Sequence, residues 1–236
     1  MIRVGTAGWA APRTVRDRFP EAESGLARYA GRFDCAEINS TFYRSHKPST
    51  YARWVEQTPD GFRFALKIPK TITHERRLAD SDDLLEAFLA EAALLGDKLG
   101  PLLVQLPPSA ALDSPTAEAF FRSFRSRFDG AVACEPRHPT WFEADAEALL
   151  REHRIARVAA DPARVPAAAE PGGWDGLKYW RLHGSPRMYW SSYEPAWLAE
   201  LAARLRAAPA EAWCIFDNTT SGAAAANALD LLEQLD

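Results

Sequence analysis

Eight short apolar runs recur along the chain with helix-like segments between them, and this rhythm restricts the fold more than any other feature. The runs are IRVGTAG (2–8), CAEINSTF (35–42), FRFALKIP (62–69), PLLVQLPP (101–108), GAVACEPR (130–137), ARVAADPA (156–163), LKYWRLHG (177–184) and AWCIFDN (212–218). Strand alternating with helix implies parallel strands joined by crossover helices. Eight such strands point to closure as a (β/α)₈ TIM-type barrel, an α/β fold of about 250 residues. At 236 residues the chain has the length for one such barrel domain over 1–236. An open doubly wound sheet is the alternative, but GTAGW (5–9) has no G-x-G-x-x-G spacing.

The intervening segments read as helices. Phe120, Phe124 and Phe128 recur every fourth residue after Ser114-Pro115, a cap followed by a first-turn proline. Ser81-Asp82-Asp83 opens a helix with acids in its first turn, and Gly96 is a plausible stop. Leu198, Leu201 and Leu205 mark another, and Leu229, Leu232 and Leu235 the last. Residues 163–176, ARVPAAAEPGGWDG, are rich in Pro and Gly where the sixth helix belongs, so a short or irregular connection is expected between strands six and seven.

Composition excludes several classes. No apolar run reaches the about 18 residues of a membrane span, and the N-terminus lacks the layout of a signal peptide. Three widely spaced cysteines, Cys35, Cys134 and Cys214, read as buried free thiols in a reducing cytosol. A net charge of −4 gives no global attraction to nucleic acid or an acidic membrane, so any basic site is local. Oligomeric state is not legible.

The strand ends carry the chemistry. Residues 134–142 read CEPRHPTWF, so an apolar strand finishes in a glutamate and an arginine. In a TIM-type barrel the active site lies at the C-terminal strand ends. Strand two ends with Glu37 and Asn39, strand three with Lys67, strand four with Gln105, and strand five with Glu135 and Arg137. Strand six supplies Asp161, strand seven Arg181 and His183, strand eight Asp217 and Asn218. Alternation puts Glu37 with Asn39, Glu135 with Arg137, and Arg181 with His183 on shared faces. The plain alternative is structural pairing, Glu135 with Lys67 or Arg181.

The loops after these strands interleave cations with aromatics: TFYRSHKP around Tyr43, KTITHERR, PRHPTWF with His138 and Trp141, and GSPRMYWSSY with Ser185 and Arg187. An acidic chain thus gathers basic residues on one expected rim, which favours an anionic ligand with flat surfaces for bases or sugars. The turn Asp217–Gly222, with Thr219 and Ser221, precedes a small-residue helix whose N-terminus suits phosphate, or is merely capped there. Glu37, Glu135, Asp161, His183 and Asp217 are ligand types for a divalent metal, but neighbouring arginines would repel it and no clustered spacing is present, so a metal is not favoured. A Schiff-base role for Lys67 is a further reading.

With these motifs in view the chain resembles the DUF72 or YecE-like family along nearly its whole length. The matching stretches are GTAGW, EINSTFYR (37–44), FALKIP with ITH (64–69, 72–74), LGPLLVQLPP (99–108), EPRHPTWF (135–142), YWRLHG (179–184) and FDNTTSGAAAANAL (216–229). The resemblance implies a TIM-type barrel and adds His74 to the mouth residues; it implies no activity. The family commonly reads F-N-N where this chain has Phe216-Asp217-Asn218, which speaks against Asp217 as catalytic acid or metal ligand.

The residues together point to an enzyme of the hydrolase or lyase class acting on a phosphate-bearing substrate: a nucleotide, nucleic acid or sugar phosphate. Arg137 and Arg181 would clamp its charge. Glu37 or Glu135 would be general acid or base, with His183 as proton carrier. Asn39, Gln105 and Asn218 would position it. Two rivals use the same residues: a non-catalytic binder of nucleic acid or an anionic metabolite, and a carbohydrate-active hydrolase with Glu37 and Glu135 as its acid pair.

Overall fold

The computed structural model describes residues 1–236. Each of the eight apolar runs carries a strand. In chain order they give β1 (Ile2–Thr6), β2 (Cys35–Ile38), β3 (Arg63–Lys67), β4 (Leu99–Gln105) and β5 (Val132–Glu135). The sixth run divides into β6 (Ile155–Arg157) and β7 (Ala159–Asp161), and a two-residue β8 (Gly172–Gly173) follows. Then come β9 (Leu177–Leu182) and β10 (Glu211–Phe216). All pairings are parallel except β6 with β8.

The ladder is not the single closed ring expected from the rhythm. It falls into a four-stranded sheet, β1-β10-β9-β7, and a six-stranded one, β2-β3-β4-β5-β6-β8. One break lies inside the sixth run. β6 pairs with β5 and β7 with β9, so the run passes from one sheet to the other at Val158, whose N–H reaches Cys134 O at 2.8 Å. Three-residue segments on a twisting surface cannot hold both ladders in register. The other break is between β1 and β2, bridged by Ala7 with Glu37 and by Gly8 N–H to Glu37 O at 2.8 Å. The two strands come very close there: a Cβ on Gly5 would lie 2.3 Å from Cys35 O, which explains a glycine at that position.

The helices are α1 (Gly25–Ala30), α2 (Pro48–Glu56), α3 (Asp82–Ala92), α4 (Ser114–Arg127), α5 (Ala144–Glu152), α6 (Pro195–Arg206) and α7 (Ala223–Leu235). α4 is capped one residue earlier than the sequence pattern implied: Asp113 accepts from Thr116 N–H at 2.9 Å, and Ser114 is the first helical residue. Residues 163–176 hold only a 3-10 turn, Pro166–Ala169, and β8.

Two apolar clusters follow from strand alternation. The larger packs the helices against the outer faces of the strands. The smaller is enclosed by the strands and draws Cys35, Ala65, Leu103, Ala133, Ala156, Tyr179, Trp213 and Ile215 from successive elements. Tyr179 and Trp213 stack within it, 6.1 Å apart and 7° from parallel.

Candidate active site at the strand ends

The site is the next layer above that inner cluster. Two residues beyond Cys35 stands Glu37, beyond Ala65 Lys67, beyond Leu103 Gln105, beyond Ala133 Glu135, beyond Tyr179 Arg181, and beyond Ile215 Asp217. Period-two alternation turns all of them to the same interior. His183 continues the series and is 1% exposed.

Arg181 is the hub. It is fully buried, and its Nε and Nη2 donate to Glu37 at 3.0 and 2.7 Å. Nη1 donates to Glu135 at 2.5 Å and Nη2 also to Asp217 at 3.0 Å. Three carboxylates thus satisfy one buried guanidinium, the condition for burying such a charge. Tyr179 adds an O–H bond to Glu37 Oε2 at 2.9 Å, and Gln105 an N–H bond to Glu135 Oε2 at 2.8 Å. His183 sits between two carboxylates, Nε2 2.8 Å from Glu135 and Nδ1 3.0 Å from Asp217. Burial alone would lower its pKa, but the Glu135 charge and both hydrogen bonds raise it, so both ring nitrogens donate. Glu135 is driven well below the carboxylate range: burial opposes this, and the charges of Arg181, His183 and Arg137 outweigh it.

This packing revises three expectations. Arg181 is badly placed to clamp a ligand, because it is fully buried and four of its five N–H donors go to carboxylates. Glu135, with four donors on its two oxygens, is a poor general base. Glu37 and Glu135 share one guanidinium, so they do not form a free acid pair for glycoside hydrolysis.

The loosely held groups lie beside the hub. Lys67 is 9% exposed and has no carboxylate or hydrogen-bond partner; its ammonium rests 4.0 Å from the Phe42 ring centre. Burial, helped by the Arg181 charge, lowers its pKa to about 8, against the pull of Glu135, Glu37 and Asp217. The same Phe42 ring meets His74 edge-on at 4.9 Å. Burial and the charges of Lys67 and Arg137 hold the His74 pKa down. Arg137 reaches Glu135 at 3.2 Å and the Tyr189 hydroxyl at 3.4 Å, with its side chain 16% exposed. Around the hub, four cationic side chains face three carboxylates, and Lys67 is the one without a partner.

Other expected residues lie apart. The Asp161 carboxylate accepts from the Tyr193 hydroxyl at 2.9 Å and bonds neither Arg181 nor the His183 ring; only its main-chain carbonyl meets His183, accepting from the N–H at 2.7 Å. Trp141 is not on the rim. It is 2% exposed, and its indole N–H donates to Ala110 O at 3.0 Å, as a buried indole requires. His138 caps the turn Pro139–Phe142 through Thr140. Asn218 faces away from the hub: one residue past Asp217, its amide donates to Ser191 O and Asn227 Oδ1, both at 2.9 Å. Ser221 donates to Trp190 O at 2.5 Å and accepts from Ala223 N–H, a helix cap. Tyr43, Ser185, Arg187 and Thr219 are exposed, and Arg187 lies over the Trp190 ring at 4.5 Å. Asn39 has a buried Oδ1 with no hydrogen-bond donor. No three His, Cys, Asp or Glu side chains are grouped to hold a metal ion; the three hub carboxylates aim at Arg181 instead.

The loop after β9 covers the hub. Tyr189 meets His183 edge-on at 5.5 Å, and Gly184 turns the chain at φ +89°, where a Cβ would lie 2.7 Å from Ser191 O. Over Glu135 and His183 it leaves about 10 Å³, room for one water. A larger cavity, about 340 Å³, opens between the strand-three and strand-four loops, lined by Arg76, Leu78, Leu106, Ala110 and Trp141. It includes neither Lys67 nor Arg181.

Sequence reasoning missed Tyr179 and Asn227. Tyr179 was legible as the residue two before Arg181 on the same face. Asn227 lies in the Ala-rich α7, 1% exposed, and ties down the loop after β9 by accepting from Tyr193 N–H at 3.1 Å and donating to Ser192 Oγ at 2.9 Å. A lone amide on an apolar helix face was its signal.

Comparison with known proteins matches residues 3–236 to the family model described as "Protein of unknown function DUF72". The UPF0759 protein YecE of Escherichia coli strain K12 is 35% identical over 174 residues, 71% of this chain. The match spans 62% of that relative's length. The UPF0759 protein YunF of Bacillus subtilis strain 168 is 24% identical, covering 100% of this chain and 95% of the relative. A crystal structure of a DUF72 family protein from Enterococcus faecalis V583 superposes with a TM-score of 0.83 at 23% identity, covering 100% of this chain and 95% of that one. One from Thermotoga maritima MSB8 gives 0.79 at 24% identity, covering 100% and 99%. No helix is long and apolar enough to cross a membrane.

Proposed function

The chain belongs to the DUF72 family, and we propose that it is an enzyme acting on a phosphate-bearing anion at the C-terminal mouth of a (β/α)₈ barrel. The two sheets are read as one barrel, joined through the divided sixth run and the Ala7–Glu37 bridge. One observation carries the functional reading: Lys67 is a buried amine with no ion pair and no hydrogen bond, near His74, on which Arg137 also acts, in a chain of net charge −4. Fold stability gains little from such a group, since burying it without an ion pair costs free energy that the Phe42 ring offsets only in part. A ligand anion supplies the missing partner.

In this reading the hub is scaffold rather than reactant. Arg181, Glu37, Glu135, Asp217 and His183 hold one another and set the electrostatics. Lys67 transfers the proton, its value of about 8 close to the working pH of a general acid or base. Arg137 and His74 bind the anion together with the Lys67 ammonium, and Asn39 offers its free carbonyl to a substrate hydroxyl or amine. Tyr189 moves aside to admit the substrate. A binding protein would keep the same anion contacts without turnover, and the perturbed amine favours the enzyme.

A thermal-shift screen of nucleotides, sugar phosphates and oligonucleotides, with and without divalent metals, tests this reading. Compounds that stabilise the chain by mass action are then followed for turnover. The expected result is stabilisation by a phosphate-bearing compound and its conversion by the parent chain but not by Lys67→Met. No stabilisation by any phosphate compound would sink the reading, and stabilisation without conversion would leave a binder.

A further inference from the structure

The chain has five lysines, and four are accounted for. Lys98 donates to Val55 O, Thr58 O and Thr58 Oγ1 at 2.6, 2.5 and 3.1 Å. Lys178 pairs with Asp175 at 2.7 Å and Lys70 with Glu75 at 3.0 Å. Lys47 is exposed ahead of α2. Lys67 differs from all four. Its main chain is fixed by β3 and by the Thr41 hydroxyl on its carbonyl at 2.7 Å, while its amine has an aromatic wall, Phe42, and no partner.

We propose that Lys67 is an imine-forming catalytic residue and that the substrate is an anionic aldehyde or ketone, of the class of 2-oxo acids and phosphorylated carbonyl compounds. The inference rests on the reading of the mouth as an anion site, and replaces proton transfer by Lys67 with attack on an electrophile. The neutral Nζ attacks the carbonyl carbon, forming a C–N bond. A proton passes from nitrogen to the former carbonyl oxygen, giving a carbinolamine. The proton that the ammonium gave up to become the neutral amine returns through water to this hydroxyl, water leaves with the C–O bond, and a protonated imine remains. Hydrolysis reverses these steps; no electrons are exchanged with a third party.

Three features fit this chemistry. Burial favours the uncharged, nucleophilic amine, and outweighs the attraction of the Phe42 face for the ammonium. Arg137 and His74 are placed to hold the anionic end of the substrate. Glu37, Glu135 and Asp217 act on Lys67 electrostatically, so the positive imine forms in a field that stabilises it.

The test uses the unmodified chain, so no variant has to fold. The protein is incubated with glyoxylate and sodium cyanoborohydride at pH 7, and alkylation at each of the five lysines is followed by peptide mass spectrometry. With a value of about 8, Lys67 has a neutral fraction roughly 200-fold above that of an ordinary lysine. Allowing for the lower nucleophilicity of a weaker base, Lys67 is expected to be modified at least about tenfold faster than exposed Lys47. Parallel reactions use propanal, a neutral aldehyde, and glyoxylate with inorganic phosphate as competitor. Selective labelling of Lys67 by glyoxylate, weaker with propanal and slowed by phosphate, supports the proposal. Labelling of Lys67 no faster than Lys47 overturns the imine, whatever the anion reading's fate in phosphate binding. Equal selectivity for propanal, with no protection by phosphate, keeps the amine reactive but overturns the anionic substrate class and the reading beneath it.

Discussion

Arg181 and Glu37 form a two-point ion pair, 3.0 Å from Nε to Oε2 and 2.7 Å from Nη2 to Oε1, with neither side chain exposed to solvent. The pair joins β9 to β2 across the interior, and Glu135 and Asp217 extend it to β5 and the end of β10. A buried guanidinium held this way organises the strand ends; under the proposed function the ligand falls to the cations beside it.

Removing the hub should therefore be severe. Arg181→Met strands three carboxylates, and breaking a buried ion pair on one side costs about 3–5 kcal/mol. Urea denaturation should show that loss or a failure to fold. Arg122→Ala, which breaks an exposed pair with Glu118, should change stability by no more than about 0.5 kcal/mol. Similar stability for both variants would contradict the assignment.

His183 should titrate above the ordinary histidine value of about 6.5. Its contribution to stability is then fully present below 6.5 and is lost as pH rises through the raised value. Asp217→Asn keeps a hydrogen-bonding group but removes one of the two neighbouring charges, so the His183 value should fall in an NMR titration of the ring. Glu135 has the opposite sign: its contribution is present above the ordinary carboxylate range and is lost as pH falls through its depressed value. An Asp217→Asn titration identical to that of the parent would disprove the coupling.

Asn227→Ala should loosen the loop after β9. It leaves Tyr193 N–H without its acceptor and the Asn218 amide with one of its two, at about 1–3 kcal/mol for an unsatisfied buried group. Hydrogen exchange at Ser192 and Tyr193 should accelerate while β9 stays protected. Unchanged exchange in the loop would remove Asn227 from this role.

Lys67→Met should stabilise the chain. A charged amine buried without a partner is replaced by an apolar side chain of similar length, worth about 1–3 kcal/mol at pH 7. The lowered lysine value means that the penalty is full below about 8 and is relieved as pH rises toward the ordinary value, so the gain should shrink over that interval. Loss of stability in Lys67→Met would mean that the amine has a structural partner after all.

Much of this was legible because strand alternation leaves no freedom: once β2, β5 and β9 are placed, Glu37, Glu135 and Arg181 must share an interior. The same parity turns Asn218 outward when Asp217 faces in. Register between strands is not written in a local pattern, so the division of the sixth run at Val158 was hidden. Trp141 was misread because a loop tryptophan looks the same in sequence whether its indole meets solvent or Ala110 O. Asp217 was discounted against the resembled family's asparagine, yet it bonds both Arg181 and His183. Which cation would be left unpaired depends on how three carboxylates are shared in space, and the sequence does not record that.

The central claim is that Lys67, and not Arg181, receives the anion. Calorimetric titration of pyrophosphate into the parent chain and into Lys67→Met at pH 7 tests it most directly. The parent should bind and the variant should lose about 1.5–3 kcal/mol of affinity, the scale of a charged hydrogen bond, while being the more stable protein. Equal affinity in both chains, or no binding to the parent, would contradict the claim.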